Sequence, residues 1–166
     1  MLFQDKDKPV QVSLSEGRSY ELAFGPLSEL PLKMREAGLR PGKCVVVTDT
    51  NVAGHYRATL DAILQYDGWD PLILTLPAGE ETKSPKPLQA IYDAALAWNI
   101  DRQTPVLALG GGVIGDLAGF AASSILRGVP FVQIPTSLIA QVDSSIGGKT
   151  GINHDEGKNL IGAFYQ

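Results

Sequence analysis

One cysteine, Cys44, and two histidines, His55 and His154, are all the thiolate and imidazole that 166 residues offer. A lone cysteine cannot close an internal disulfide, and a reduced thiol suits the cytosol. Cys44 heads the apolar run "CVVV", so it reads as a buried structural thiol rather than a nucleophile. With no Cys-x-x-Cys or His-x-x-x-His pair, a complete zinc site inside the chain is not expected. No apolar run reaches the roughly 18 residues of a membrane span, and "MLFQDKDKP" has none of the character of a signal peptide. The net charge of −4 comes without a basic block, which argues against nucleic acid as a partner. Also missing is the first glycine of a nucleotide P-loop. "DSSIGGKTG" (143–151) supplies Gly148, Lys149 and Thr150, but Asp143 stands where G-x-x-x-x-G-K-[ST] requires glycine. A carboxylate at the mouth of such a loop repels phosphate. The preceding residues 137–142 do not read as the buried strand that feeds a P-loop, so ATP is not the expected ligand.

What remains is an ordinary globular composition, 44% hydrophobic and 19% charged, in a length suited to one domain over residues 1–166. "CVVVTDTN" (44–51) predicts a short buried strand, and Asn51 opens a helix with Val52, Tyr56, Leu60, Ile63 and Leu64 on its inner face. "PLILTLP" (71–77) is a second strand, followed by a polar loop and a helix that turns Leu88, Ile91, Tyr92, Ala95 and Leu96 inward. "PVLALG" (105–110) and "VPFVQIP" (129–135) are a third and a fourth. Strand–helix alternation at this spacing predicts an α/β fold: a mostly parallel, Rossmann-like sheet with helices on both faces. "VQVSL" and "YELAFG" form a separate antiparallel pair at an edge. "KNLIGAFYQ" stops on aromatic and apolar residues, which predicts a domain cut at its C-terminal end.

Residues 105–151 hold only four charged side chains, Asp116, Arg127, Asp143 and Lys149, where average composition predicts about nine. Charges so sparse in apolar sequence are paired or line a site. "LGGGVIGDLAGF" places Gly110, Gly112 and Gly115 in G-x-G-x-x-G spacing after a strand and at a helix start, where backbone amides bind pyrophosphate. Glycines used only for helix–sheet packing are the alternative. In an ordinary Rossmann unit this turn follows the first strand, with an acid about 20 residues on. Here two strand–helix units precede it and the nearest strand-ending acid is Asp49, which implies a different strand order. "PAGEETKS" (77–84) also ends a strand; Glu80 and Lys83 could serve ribose or phosphate, although alone the pattern reads as a solvated helix N-terminus. Residues 135–159 gather Thr136, Ser137, Asp143, Lys149, Lys158 and Asn159 around glycine pivots, a set suited to a substrate bearing phosphate or carboxylate. His154, in "NHDEG", has a surface turn as its plain alternative.

"GGGVIGDLAGF", "RGVPFVQIPTSLIAQVDSSIGGKTGIN" and "GKNLIGAFYQ" resemble the 3-dehydroquinate synthase family of sugar-phosphate cyclases, from "TDTN" onward and without a gap in spacing. The resemblance implies an NAD-dependent cytoplasmic enzyme of the shikimate pathway with a divalent metal, zinc or cobalt. It converts 3-deoxy-arabino-heptulosonate 7-phosphate to 3-dehydroquinate and phosphate. A ring hydroxyl is transiently oxidised, the acidified neighbouring C–H permits phosphate loss, the hydride returns, and an intramolecular aldol step closes the carbocycle. It further implies that Asp49 and Asn51 meet the adenosine half of NAD and that Gly79, Glu80 and Lys83 belong to the cofactor site. Gly111, Gly112, Val113, Gly115 and Asp116 would surround pyrophosphate and ribose, followed by Thr136 and Ser137. Asp143, Lys149 and Asn159 would bind substrate, with Lys149 also near the cofactor, and Lys158 would stand between the two ligands. Arg127 would reach the partner's substrate phosphate in a homodimer. The helical C-terminal domain with the metal ligands, and a strand after "GAFYQ", would be absent, leaving an exposed sheet edge and a chain without turnover of its own. Two alternatives are the NAD-binding part of a metal-dependent polyol dehydrogenase and a non-catalytic nucleotide-binding or dimerisation module.

Overall fold

Val45, Val46 and Val47 are all fully buried, yet neighbours in this run belong to different cores. Strand pleating sends successive side chains to opposite faces. Val45 and Val47 join Val106 and Ala108 beneath one helical layer, while Cys44 and Val46 join Leu107 and Leu109 beneath the other. A strand covered on both faces has no use for a polar alternate position, hence its continuous apolar run. Burial also pushes the Cys44 thiol up to about 12, so it packs as a small hydrophobe.

The computed structural model describes residues 8–15 and 18–166; the opening residues read above for a signal peptide lie largely outside them. Its elements are β1 (Val10–Val12), β2 (Tyr20–Leu22), α1 (Leu30–Glu36), β3 (Lys43–Asp49), α2 (Thr50–Tyr66), β4 (Asp70–Leu76), α3 (Pro85–Ala97), β5 (Val106–Gly110), α4 (Gly112–Ser124), β6 (Phe131–Pro135), β7 (Lys149–His154) and β8 (Gly157–Phe164). Four of the strands form a parallel sheet in the order β4-β3-β5-β6. Leu88, Ile91 and Ala95 of α3 and Ile114, Leu117, Ala118 and Ala121 of α4 pack on one face; Met34 of α1 and Leu60 and Leu64 of α2 pack on the other. The chain steps from β3 out to β4, then returns past β3 to β5. In an open α/β sheet such a reversal opens a crevice beyond the carboxyl ends of the two strands.

The expected strand order, different from the common Rossmann arrangement, is therefore found. Two inward assignments are corrected. Leu96 is 49% exposed, because Leu88, Ile91 and Ala95 define the buried row of α3 and Leu96 is rotated about 100° from Ala95. Tyr56 is 44% exposed: Met34 of α1 packs in the same cluster as Leu60 and Leu64, further along α2, and Tyr56 does not join that cluster. The antiparallel pair β1–β2 is a sheet of its own, and a cleft of about 820 Å³ separates β2 and α1 from β6. Among the described residues β6 pairs only with β5 and so stands at one end of the sheet, as β4 does at the other.

Residues 149–164 form an antiparallel hairpin that sequence reading treats only as glycine pivots. It packs on α4, and its two strands come close together at Gly151 and Gly162. A Cβ on Gly162 would stand 2.1 Å from the Thr150 carbonyl oxygen. Ahead of the hairpin, Ala140–Ser144 makes one π-helical turn, confirming that this stretch is not a strand.

Candidate functional site

Asp49 ends β3 and caps α2, its Oδ1 accepting from the amides of Asn51 and Val52 at 2.9 and 3.0 Å. A cap of this kind contributes about 1 kcal/mol to a helix. One strand over, β5 ends at Gly110 and the chain turns through Gly111 into α4. Gly111 is the N-cap residue and has no side chain to bond the first amides of the helix. Those donors, at the positive end of the helix, suit an anion. None of Gly110, Gly111, Gly112 and Gly115 has positive φ, so what these glycines supply is space. A Cβ on Gly110 would lie 2.6 Å from Ile114, and one on Gly115 would lie 2.8 Å from Gln133 Oε1, which is the packing role. A Cβ on Gly111 would meet nothing nearer than Ser137 Oγ at 3.5 Å, so packing does not account for that glycine. Because β5 lies beside β3, Asp49 and the glycine turn flank the crevice together, although the turn follows the third strand of the sheet.

The loop after β4 is tied into this crevice. The Ala78 amide donates to Thr50 Oγ1 at 3.1 Å, Gly79 takes φ +122°, and Thr82 Oγ1 donates to the Pro77 carbonyl at 2.6 Å. Lys83 is only 5% exposed, so the solvated-helix-start reading of this stretch fails at Lys83, although residues 77–81 before it are exposed. Its ammonium donates to the Asp116 carboxylate on α4 and to the Asn159 side-chain oxygen on β8. Burial pushes the Asp116 carboxyl above its ordinary value, and the Lys83 hydrogen bond opposes that rise. Glu80 is held below the usual carboxylate range, first by the Asn153 amide at 2.9 Å, then by Lys158 at 3.7 Å and by Lys83.

Hydrogen bonds and an ion pair thus join Glu80, Lys83, Asp116, Lys158 and Asn159, with the Lys83 amide donating to the Glu80 carbonyl at 3.0 Å. Thr136 and Ser137 follow β6; the Thr136 amide donates to Gly110 O at 2.9 Å, and Ser137 Oγ accepts from the Ala140 amide at 3.3 Å. Val113 lies in the first turn of α4. Asp143, in the π-helical turn, and Lys149, at the start of β7, are exposed and stand outside the bonded cluster. The Lys149 charge nonetheless favours ionised Asp116. Arg127 is exposed in a run of left-handed backbone, with φ of 50°, 67° and 113° at Leu126, Arg127 and Gly128. Asn159 shares that conformation at φ 58°, and such outliers gather where the surrounding structure dictates the geometry. His154 Nδ1 accepts from the Glu156 amide at 3.2 Å, the surface-turn role. Sequence reading missed Asn153. Asn153 closes the quoted "KTGIN" block, but only the fold brings it to Glu80.

The family model described as 3-dehydroquinate synthase N-terminal matches residues 73–166. The 3-dehydroquinate synthase of Salinibacter ruber is 62% identical over 157 residues, which cover 95% of this chain and 42% of that protein. The enzyme of the same name from Citrifermentans bemidjiense is 53% identical, with 95% and 43% covered. The chain therefore spans about two fifths of the curated relatives' length. Among solved structures, a 2-deoxy-scyllo-inosose synthase complexed with carbaglucose-6-phosphate, NAD+ and Co2+ superposes with a TM-score of 0.85 at 26% identity, over 95% of this chain and 43% of that one. The 2-epi-5-epi-valiolone synthase of Streptomyces hygroscopicus, with NAD+ and Zn2+ bound, gives 0.79 at 34%, over 93% and 42%. A glycerol dehydrogenase from Schizosaccharomyces pombe, at 0.62 and 20% identity, shares the fold alone. The matched residues include the glycine turn, the buried Lys83 and the hairpin that covers it, and the chain belongs to the 3-dehydroquinate synthase family.

Proposed function

We propose that this chain is the NAD-binding part of a 3-dehydroquinate synthase, which converts 3-deoxy-arabino-heptulosonate 7-phosphate to 3-dehydroquinate and phosphate. The observation that carries the reading is the convergence, at the carboxyl ends of neighbouring β3 and β5, of the uncapped start of α4, the acid ending β3 and the Lys83 cluster. These residues fit a dinucleotide: donors for pyrophosphate, an open approach at Gly111, and a carboxylate for hydroxyls. Bound NAD supplies reversible hydride acceptance, so that it ends each turnover unchanged.

The chain's own residues divide the remaining work. The amides of Gly111, Gly112 and Val113 hold pyrophosphate, and Asp49 and Asn51 hold the adenosine half. Gly79, Glu80, Lys83, Gly115, Asp116, Thr136 and Ser137 complete the cofactor side. Exposed Lys149 gives an anionic substrate its counter-charge from the cofactor side as well, while Asp143 and Asn159 take substrate hydroxyls. Lys158, near Glu80, bridges the two ligands. Arg127 points to a homodimer in which it serves the partner's substrate phosphate. The cytoplasm is the proposed compartment; no helix among the described residues is long and apolar enough to cross a membrane. Among the described residues no group of three His, Cys, Asp or Glu could hold a metal ion. We assign the zinc or cobalt site of the complete enzyme to a part outside this chain, and expect these residues alone to release no phosphate.

Calorimetric titration of the chain with NAD, and ATP as control, tests the assignment. Saturable NAD binding that weakens in Asp49→Ala and Lys83→Ala is expected. Preference for ATP, or phosphate release by the chain alone, overturns it. Net NADH accumulation from a simple alcohol would point instead to a polyol dehydrogenase.

A further inference from the structure

Three hydrogen bonds of Asn153 go to residues of the proposed site. Its backbone amide donates to the Lys83 carbonyl at 2.8 Å. Its side-chain Nδ2 donates to Glu80 Oε1 at 2.9 Å, and its side-chain Oδ1 accepts from the Asn159 amide at 2.9 Å. A single β7 side chain thus spans from the loop after β4 to the left-handed residue of β8. No other residue bonds the backbone or side chain of all three of these groups among the described contacts. The amide is the side chain suited to this task, since it offers a donor to a carboxylate and an acceptor to a backbone N–H at once. Aspartate lacks the donor and alanine lacks both.

We propose that Asn153 is the positioning residue of the cofactor site: it holds Glu80, Lys83 and Asn159 in one geometry without itself contacting NAD. The proposal rests on the NAD-binding reading for its functional meaning, but its geometric content can be measured without cofactor. Without the Asn153 side chain, Asn159 loses the bond that fixes its left-handed backbone, and its side-chain oxygen leaves Lys83. Glu80 keeps only its charged neighbours, Lys158 and Lys83, which face it from β8 and from its own loop.

The test compares the chain with Asn153→Ala and Asn153→Asp by carbon-detected NMR titration of the Glu80 carboxyl, by acylation of Lys83 and by NAD titration. Thermal melts of each protein confirm that it is folded. In Asn153→Ala the Glu80 midpoint rises toward its ordinary value, Lys83 becomes reactive to an acylating reagent, and the NAD dissociation constant rises roughly tenfold, the scale of one lost hydrogen bond to a charged group. In Asn153→Asp the acceptor for Asn159 survives while a second carboxylate faces Glu80, so Glu80 rises further and the Asn159 amide shift stays near that of the parent. An unmoved Glu80 midpoint in both folded variants overturns the proposal, as does unchanged NAD affinity when Glu80 and Lys83 respond. If the parent chain binds no NAD, the functional reading fails instead, and Glu80 and Lys83 still decide the geometry. Should Asn153→Ala not fold, Asn153→Asp still decides the Glu80 bond, since it lacks the Nδ2 donor: an unmoved Glu80 midpoint, or unchanged NAD affinity when that midpoint moves, overturns the proposal.

Discussion

A Cβ placed on Gly119 would stand 2.4 Å from Thr150 Cγ2 and 3.0 Å from the Phe131 ring. That distance is how closely α4 approaches the hairpin. Gly119→Ala is expected to destabilise the chain by about 1–3 kcal/mol, the usual cost of overpacking. Thr150→Ser removes the offending methyl while keeping the hydroxyl that donates to Ala163 O. The double variant should then lose less than the sum of the single ones, and denaturant unfolding of all four proteins reads the difference.

Lys83 and Asp116 form a pair whose side chains are 6% and 20% exposed. Removing one partner strands the other charge, so Lys83→Met is expected to cost about 3 kcal/mol or more at neutral pH. Lys83→Met combined with Asp116→Leu should recover most of that loss, again by denaturant unfolding. Equal losses in the single and double variants would show that the pair is not what holds this loop.

The titration of Asp116 carries a sign. Its folded value lies above the ordinary 3.8, with burial the first cause and Lys83 working against it. A raised folded value means that this group's contribution to stability is complete below about 3.8 and is lost as pH rises through the folded value. NMR titration should place the Asp116 midpoint above 3.8, and Lys83→Met should move it higher still. Glu80 has the opposite sign: its lowered value makes its contribution present above the ordinary carboxylate range and lost as pH falls through the folded value.

Cys44 lies at 0% exposure with its thiol pushed up to about 12. A thiol reagent at pH 8 is expected to leave it untouched in the folded chain and to modify it fully in denaturant. The rate of labelling then reports opening of the sheet at β3 rather than the chemistry of the thiol.

Much of this architecture can be read along the chain. The run at residues 44–48 and the run at 106–110 announce strands covered on both faces, and each is followed by its helix start. Asp49 as a strand-ending acid and the glycine turn of α4 are equally legible as local patterns. The hairpin is not. Gly151 and Gly162 lie opposite each other in it, where ordinary residues would force the backbones apart, yet glycine in a strand weakens the local signal. Burial of Lys83 escapes sequence reading for a related reason. Its covering residue Asn159 is 76 positions away, and nothing in "GEETKS" distinguishes a solvated lysine from one covered by a distant hairpin. Tyr56 and Leu96 show the limit of periodicity, which gives the angle of a side chain about its helix but not how far the neighbouring elements extend.

The order of synthesis gives the hairpin one more consequence. Lys83 precedes the hairpin that covers it by more than sixty positions, so in a chain made from its N-terminus the lysine is formed long before residues 149–164. In the folded domain the amine is enclosed. Solvent therefore reaches this amine only while the hairpin is out of place, which makes Lys83 a gauge of whether the domain has closed.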